Sequence, residues 1–102
     1  MFQKVIRISN PELLAEIRKK PCAVTGLFGY GNNKVVVHHM ITVGSRGHDL
    51  PWNLLPILLD LHTRIHKLGY TLMADRYPLF KRWLLENGWE YDDNRKKWRH
   101  YG

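Results

Sequence analysis

Cysteine is nearly absent. Cys22 is the only one in 102 residues, so no intrachain disulfide can form and a four-cysteine zinc site is excluded. Long apolar runs are missing too: none approaches the roughly 20 residues a membrane helix needs. The opening Met1-Phe2-Gln3-Lys4-Val5-Ile6-Arg7 holds no apolar core of signal-peptide length. A cytoplasmic location, away from any membrane, is therefore the expectation. There is no internal repeat and no low-complexity tract. Acidic residues are scarce, nine against sixteen Lys and Arg, which leaves a net charge of +7. A basic surface favours polyanions, of which nucleic acid is the commonest, although many small basic domains bind nothing acidic.

The remaining composition, 44% hydrophobic and 25% charged, is that of a soluble globular chain. Its length suits one α+β domain over 1–102 with one modest core. Lys4 to Ile8 alternates polar and apolar residues, which predicts a short strand. Ser9-Asn10-Pro11-Glu12 predicts a helix start, with Leu13, Leu14 and Ile17 on one face, a basic end at Arg18-Lys19-Lys20 and Pro21 as the stop. Cys22 to Val24 is expected as a strand. Gly26, Gly29, Gly31 and Asn32-Asn33 supply a turn before a strand over Lys34 to His39. Their spacing does not match a nucleotide-binding fingerprint. A loop over Thr42 to Pro51 leads to a strand from Trp52 to Leu58, then to a helix from Leu59 to Leu68 closed by Gly69. The stretch 70–102 reads as an appendage: a short helix over Thr71 to Arg76, a second over Pro78 to Asn87, and a hairpin in which Trp89-Glu90-Tyr91 and Lys97-Trp98-Arg99 flank Asp92-Asp93-Asn94.

Histidine is where chemistry gathers. His62 and His66, four apart on a helix, share one face. They can chelate a divalent ion if a third ligand arrives from elsewhere, or they can be an exposed pair. His38-His39 ends the valine-rich strand. Side chains alternate faces along a strand, so two consecutive histidines cannot do the same job on one surface. One can complete a metal site while the other keeps a free ring nitrogen, and neutral imidazole is a good general base for water. A solvated doublet at a strand end is the plainer alternative.

The order of these residues resembles a known signature. His38-His39, a glycine-bearing loop, Asn53-Leu54-Leu55-Pro56 and then His62 are similar to the motif of the His-Asn-His (HNH) endonucleases, the ββα-metal family. The likeness spans about Cys22 to Gly69 (motif core 22–69), and the His62-to-His66 spacing resembles the nuclease domains of colicin-type toxins. It implies a hairpin-plus-helix core with flanking helices and a C-terminal hairpin. It also implies a phosphodiester hydrolase acting on DNA, double-stranded or branched, with His38, His62 and His66 as metal ligands. His39 is implied as general base, and Asn53 as a brace that aims it without touching the metal. One divalent ion is expected, Mg²⁺, Mn²⁺, Ni²⁺ or Zn²⁺, with products carrying 5′-phosphate and 3′-hydroxyl ends. A small enzyme of this kind suits a phage or mobile-element setting, with the host cytoplasm as its place of action.

The departures matter as much. Many family members hold a structural zinc with two Cys-x-x-Cys pairs, which would fall here at Cys22 and Thr25 and at Leu58 and Leu61. Three of the four thiolates are missing, so no structural zinc is expected and apolar packing is expected to replace it. Cys22 is then a core residue or an idle thiol. Arg46, Arg64 and Lys67 near the motif, and Lys96, Lys97 and Arg99 near the C-terminus, are the candidate nucleic-acid contacts. Each is also readable as solvated charge. His48 and His100 are expected at the surface, and Asp49 is expected to tie its loop through backbone bonds. Trp83 and Trp89 are expected in the core. Cutting both strands would need a homodimer, two sequential nicks or a larger nuclease assembly. Two rivals remain: a non-catalytic nucleic-acid-binding module that keeps the fold, and a structural metal-binding protein.

Overall fold

Val35-Val36-Val37 opens a strand because β-branched side chains pack well on a pleated surface. In the computed structural model, which describes residues 7–101, this strand is β1 (Val35–His39). It pairs antiparallel with β2 (Leu54–Leu58), with His38 opposite Leu55 and His39 opposite Leu54. Every residue of β2 is buried. Proline in a strand lacks a ladder donor, but the carbonyl of Pro56 is used, accepting the N–H of Ala23 at 2.8 Å.

α1 (Pro11–Arg18) starts where its cap predicts, the Asn10 side chain accepting the N–H of Leu13 at 3.1 Å. Such a cap contributes about 1 kcal/mol. α1 packs on both strands and buries Ile17. α2 (Leu59–Arg76) follows β2 directly and is broken at Gly69, whose φ of 79° and ψ of 168° belong to a region essentially reserved for glycine. The expected helix over Leu59 to Leu68 and the short helix after it are the two limbs of this broken element. Asn33, from the turn before β1, accepts the N–H of Asp60 at 3.1 Å and ties that turn to the first turn of α2. α3 (Pro78–Glu86) packs against α2. β3 (Glu90–Asp92) and β4 (Lys97–Arg99) form the second antiparallel sheet, and β4 lies against α2. Three helices and two small sheets among the described residues make an α+β arrangement.

Two local expectations fail and a third lies mostly outside the described residues. Cys22 to Val24 is a turn, not a strand: the Cys22 carbonyl accepts the N–H of Gly26 at 2.7 Å and its N–H donates to Leu27 at 2.8 Å, so the chain doubles back within five residues. Trp52 and Asn53 belong to a 3₁₀ turn beginning at Pro51, and β2 starts only at Leu54. Of the strand expected over Lys4 to Ile8, Lys4 to Ile6 lies outside the described residues, and Arg7 and Ile8 are not in a strand.

One apolar cluster runs through the domain. Cys22, Leu58 and Leu61 are all in it, and the Leu58 N–H points at the Cys22 sulfur at 3.4 Å. Met73, Phe80, Leu84 and Trp89 join the same cluster, so the stretch after Gly69 shares the core of the motif region. Trp89 also donates its indole N–H to the Trp52 carbonyl at 2.8 Å.

Candidate metal centre

β1 ends with His38 turned inward, 4% exposed, and α2 lays His62 and His66 beside it. The ring centroids lie 5.2 Å (His38–His62), 5.1 Å (His38–His66) and 4.8 Å (His62–His66) apart. One ligand nitrogen from each of the three falls within 4.8 Å of the others. His38 is buried, His62 half-buried and His66 exposed, so the cluster opens to solvent on the His66 side. A depression of about 200 Å³ borders it, lined in part by Thr42 and Tyr70. A larger cleft of about 440 Å³, between α1, β2 and α3, contains none of these imidazoles.

Burial drives the His38 pKa down to about 3, helped by the neighbouring His62, His66 and His39. His62 is lowered in the same way, first by burial and then by His66. A metal ligand must offer a lone pair, hence a neutral ring, and burial keeps His38 neutral at physiological pH. Tyr70 then fixes the tautomer. Its hydroxyl donates to the Met40 carbonyl at 2.6 Å and also meets Nε2 of His38 at 2.8 Å. A carbonyl can only accept and a phenol has a single proton. His38 must therefore donate from Nε2, which leaves the Nδ1 lone pair for an ion. Burial raises the Tyr70 pKa to about 12, so the phenol keeps its proton. The second-layer partner of a metal histidine fixes its orientation in this way. By number and spacing the three imidazoles could hold a divalent ion.

His39 is occupied differently. Its Nε2 meets Oδ1 of Asp49 at 2.8 Å. Asp49 is 1% exposed. Burial alone would raise its pKa, but the Asn10 N–H, His39 and the Arg7 guanidinium together hold it below the usual carboxylate value. An ionised carboxylate only accepts, so His39 donates from Nε2; in the neutral ring that leaves the lone pair on Nδ1. Arg7 reaches the same Oδ1 at 2.6 Å and donates through Nε to the Gly47 carbonyl at 2.8 Å. The expectation for Asp49 is thus incomplete: it does bond backbone, accepting from Asn10 at 2.8 Å, but it also orients His39.

Asn53 is fully buried. Its carbonyl oxygen accepts from Ile41 N–H at 2.6 Å, and its amide donates to the carbonyls of Ile41 at 3.0 Å and His48 at 3.1 Å. The loop between β1 and β2 is pinned at both ends by this one side chain. The bond network fits so closely that a Cβ on Gly47 would lie 1.7 Å from the Ile41 carbonyl oxygen. His48, expected at the surface, is half-buried and accepts the Ile8 N–H at 2.9 Å. His100 stacks on Trp52 at 3.8 Å, so it too serves packing. Trp89 is buried and Trp83 half-buried.

The basic candidates are dispersed. Arg46 is exposed in the β1–β2 loop, and Arg64 and Lys67 are exposed on α2. Arg64 donates to the Tyr77 hydroxyl at 3.3 Å. Lys96 and Lys97 are exposed on the β3–β4 hairpin. Arg99 is half-buried, paired with Asp92 at 3.3 Å and placed 5.1 Å from the centre of the Tyr101 ring, so its charge is already partly committed. Among the described residues, no helix is long and apolar enough to cross a membrane.

The contacts of Tyr70 with His38 and of Asp49 with His39 are what sequence reasoning missed at the candidate site. Tyr70 continues the spacing of four set by His62 and His66, but Gly69 reads as the helix end and hides it. Asp49 and Arg7 carry no local signal, being brought to His39 by the fold alone. No protein-family model, curated protein or solved structure matches the chain.

Proposed function

We propose that this chain is a metal-dependent endonuclease of the HNH type, built on a ββα-metal core, that hydrolyses phosphodiester bonds in DNA. The observation that carries the reading is the division of labour among four histidines. Three place their ligand nitrogens within 4.8 Å of one another, while the fourth, adjacent in sequence, is held by a buried carboxylate.

His38, through Nδ1, and His62 and His66 would hold one divalent cation. Imidazole ligands suit transition metals such as Ni²⁺ or Zn²⁺, and Mn²⁺ and Mg²⁺ belong to the same panel. The chemistry such an ion supplies when bound is charge stabilisation at the scissile phosphate and at the departing 3′ oxygen. His39 acts as the general base, its Nδ1 taking a proton from the attacking water. Asp49 keeps the ring in that tautomer and stabilises the imidazolium that results, as a carboxylate does behind a catalytic histidine. Asn53 holds the strand-to-loop corner that carries His39. Arg46, Arg64, Lys67, Lys96 and Lys97 supply phosphate contacts, which give affinity without sequence selectivity, and Arg99, paired with Asp92, adds the least.

Incubation of supercoiled plasmid, linear duplex and branched junctions with Mg²⁺, Mn²⁺, Ni²⁺ and Zn²⁺ tests this reading. Nicked or linear products with 5′-phosphate ends, lost on chelation, are expected. Binding without cleavage under every metal would instead favour a non-catalytic nucleic-acid-binding module on the same fold.

A further inference from the structure

The segment before β1 carries three large side chains that the core does not use. Leu27, Phe28 and Tyr30 are 54%, 66% and 62% exposed. They are not on a loose loop. Tyr30 and Asn33 exchange backbone hydrogen bonds at 3.1 and 2.9 Å around Gly31 at φ 54°. Gly29 lies so close to β1 that a Cβ there would sit 3.0 Å from backbone atoms of Lys34 and Val35. Asn33 in turn bonds the start of α2. The fold therefore fixes two aromatic side chains outward, in water, where burial cannot explain them.

Phe28 and Tyr30 line a notch of about 340 Å³ together with Arg18, Lys20 and Lys34. Arg18 and Lys20 come from the end of α1, Lys34 from the entry to β1. None of the lining residues is acidic. Three cations from two elements converge on a hollow walled by aromatic rings, in a chain whose net charge is +7. A flat π-face beside convergent cations is the chemistry of an unpaired nucleobase with its flanking phosphates: rings stack the base, cations hold the backbone. A protein partner for exposed aromatics would be expected to meet a less one-sided charge. The notch includes Lys34, just ahead of β1, and His38 lies four residues on, near the end of that strand. That is roughly 13 Å at about 3.3 Å per residue, a span of a few nucleotides.

Resting on the nuclease reading above, we infer that this notch is a subsite for single-stranded or unpaired nucleic acid, distinct from the histidine cluster. It gives the enzyme a preference for substrates with unpaired bases near the cut, such as flaps, gaps and junctions.

Fluorescence anisotropy with a labelled oligothymidylate and a matched duplex, both in chelator so that no cleavage occurs, tests the assignment. The Phe28→Ala/Tyr30→Ala double variant alters only exposed side chains, and its folding is checked by thermal melting. It should weaken single-strand binding by about tenfold or more, the loss expected for a stacked base, while duplex affinity stays within about twofold. Phe28→Trp, which keeps a flat ring, should hold single-strand affinity. The inference is overturned if the double variant binds the single strand as wild type does, if both substrates weaken equally, or if the change appears instead as loss of a dimer in sedimentation. Plasmid cleavage by wild type reports separately on the nuclease reading: cleavage with unaltered single-strand binding removes the subsite alone, and wild type that neither cuts nor binds removes both.

Discussion

Tyr70 decides which nitrogen of His38 is free. Since its hydroxyl proton goes to the Met40 carbonyl, His38 presents Nδ1. Tyr70→Phe removes that restraint and leaves the ring's packing in place. Metal affinity should fall about 10- to 100-fold, the usual effect of losing an outer partner of a metal histidine; an unchanged calorimetric titration with Mn²⁺ would show that the phenol does not orient the ligand. Asp49 plays the matching part behind His39. A general base contributes typically 10²–10⁴ in rate, and Asp49→Asn should forfeit about tenfold or more of it in single-turnover cleavage while metal affinity stays as in wild type. Both histidine pairs and Asn53 were visible in the sequence because their spacing is local to one strand, one loop and one helix. The bonds that join Asp49 to His39, ten residues apart, and Arg7 to Asp49, 42 apart, were not, because neither separation follows a local period. Gly47 was legible only as a turn residue; the 1.7 Å approach to Ile41 makes it a packing requirement. Gly47→Ala should destabilise the protein by about 3 kcal/mol or more, because the hydrogen-bonded loop backbone must move to admit the methyl, seen as a lowered melting temperature.

At the scale of elements, the break in α2 is the feature that shapes the candidate site. Its first limb carries His62 and His66. Its second begins with Tyr70, which reaches back to the end of β1. Gly69 allows the change of direction, and nothing lies within 4 Å of where its Cβ would be, so only the backbone conformation demands glycine there. Gly69→Ala should therefore cost about 1–3 kcal/mol of stability and, by shifting Tyr70, also weaken metal binding. Loss of stability alone, with an unaltered titration, would separate the two limbs functionally. The sequence announced this break correctly as a helix end but not its consequence for Tyr70. It misread Cys22 to Val24 because apolar residues there suggest a strand, whereas the Cys22–Gly26 and Cys22–Leu27 hydrogen bonds close a turn. Trp52 was misplaced for a related reason: Pro51 starts a 3₁₀ turn that leaves Asn53, not Trp52, at the strand's threshold. The remaining elements followed from caps, prolines and period, which act within a few residues.

Across the whole molecule, His38 and His62 make stability depend on pH. His38 has a pKa of about 3 when folded against an ordinary value of 6.5, and His62 is shifted the same way. Below pH 6.5 the unfolded chain therefore binds more protons than the folded one. Their contribution is fully present above that pH and is lost as pH falls toward about 3. Asp49, lowered from 3.8, adds a loss only at the acid end of that range. The melting temperature of the metal-free protein should fall steadily from pH 7 to pH 4; a flat profile would mean that His38 is not held in an unprotonatable environment. A divalent ion should raise the melting temperature at neutral pH, since a ligand that binds the folded state stabilises it. The most direct test of the account is single-turnover cleavage of supercoiled plasmid at saturating Mn²⁺ by wild type and by His39→Ala, with metal affinity measured alongside. His39→Ala should bind the ion as wild type does and lose cleavage by at least about a hundredfold. Cleavage by His39→Ala at the wild-type rate would contradict it.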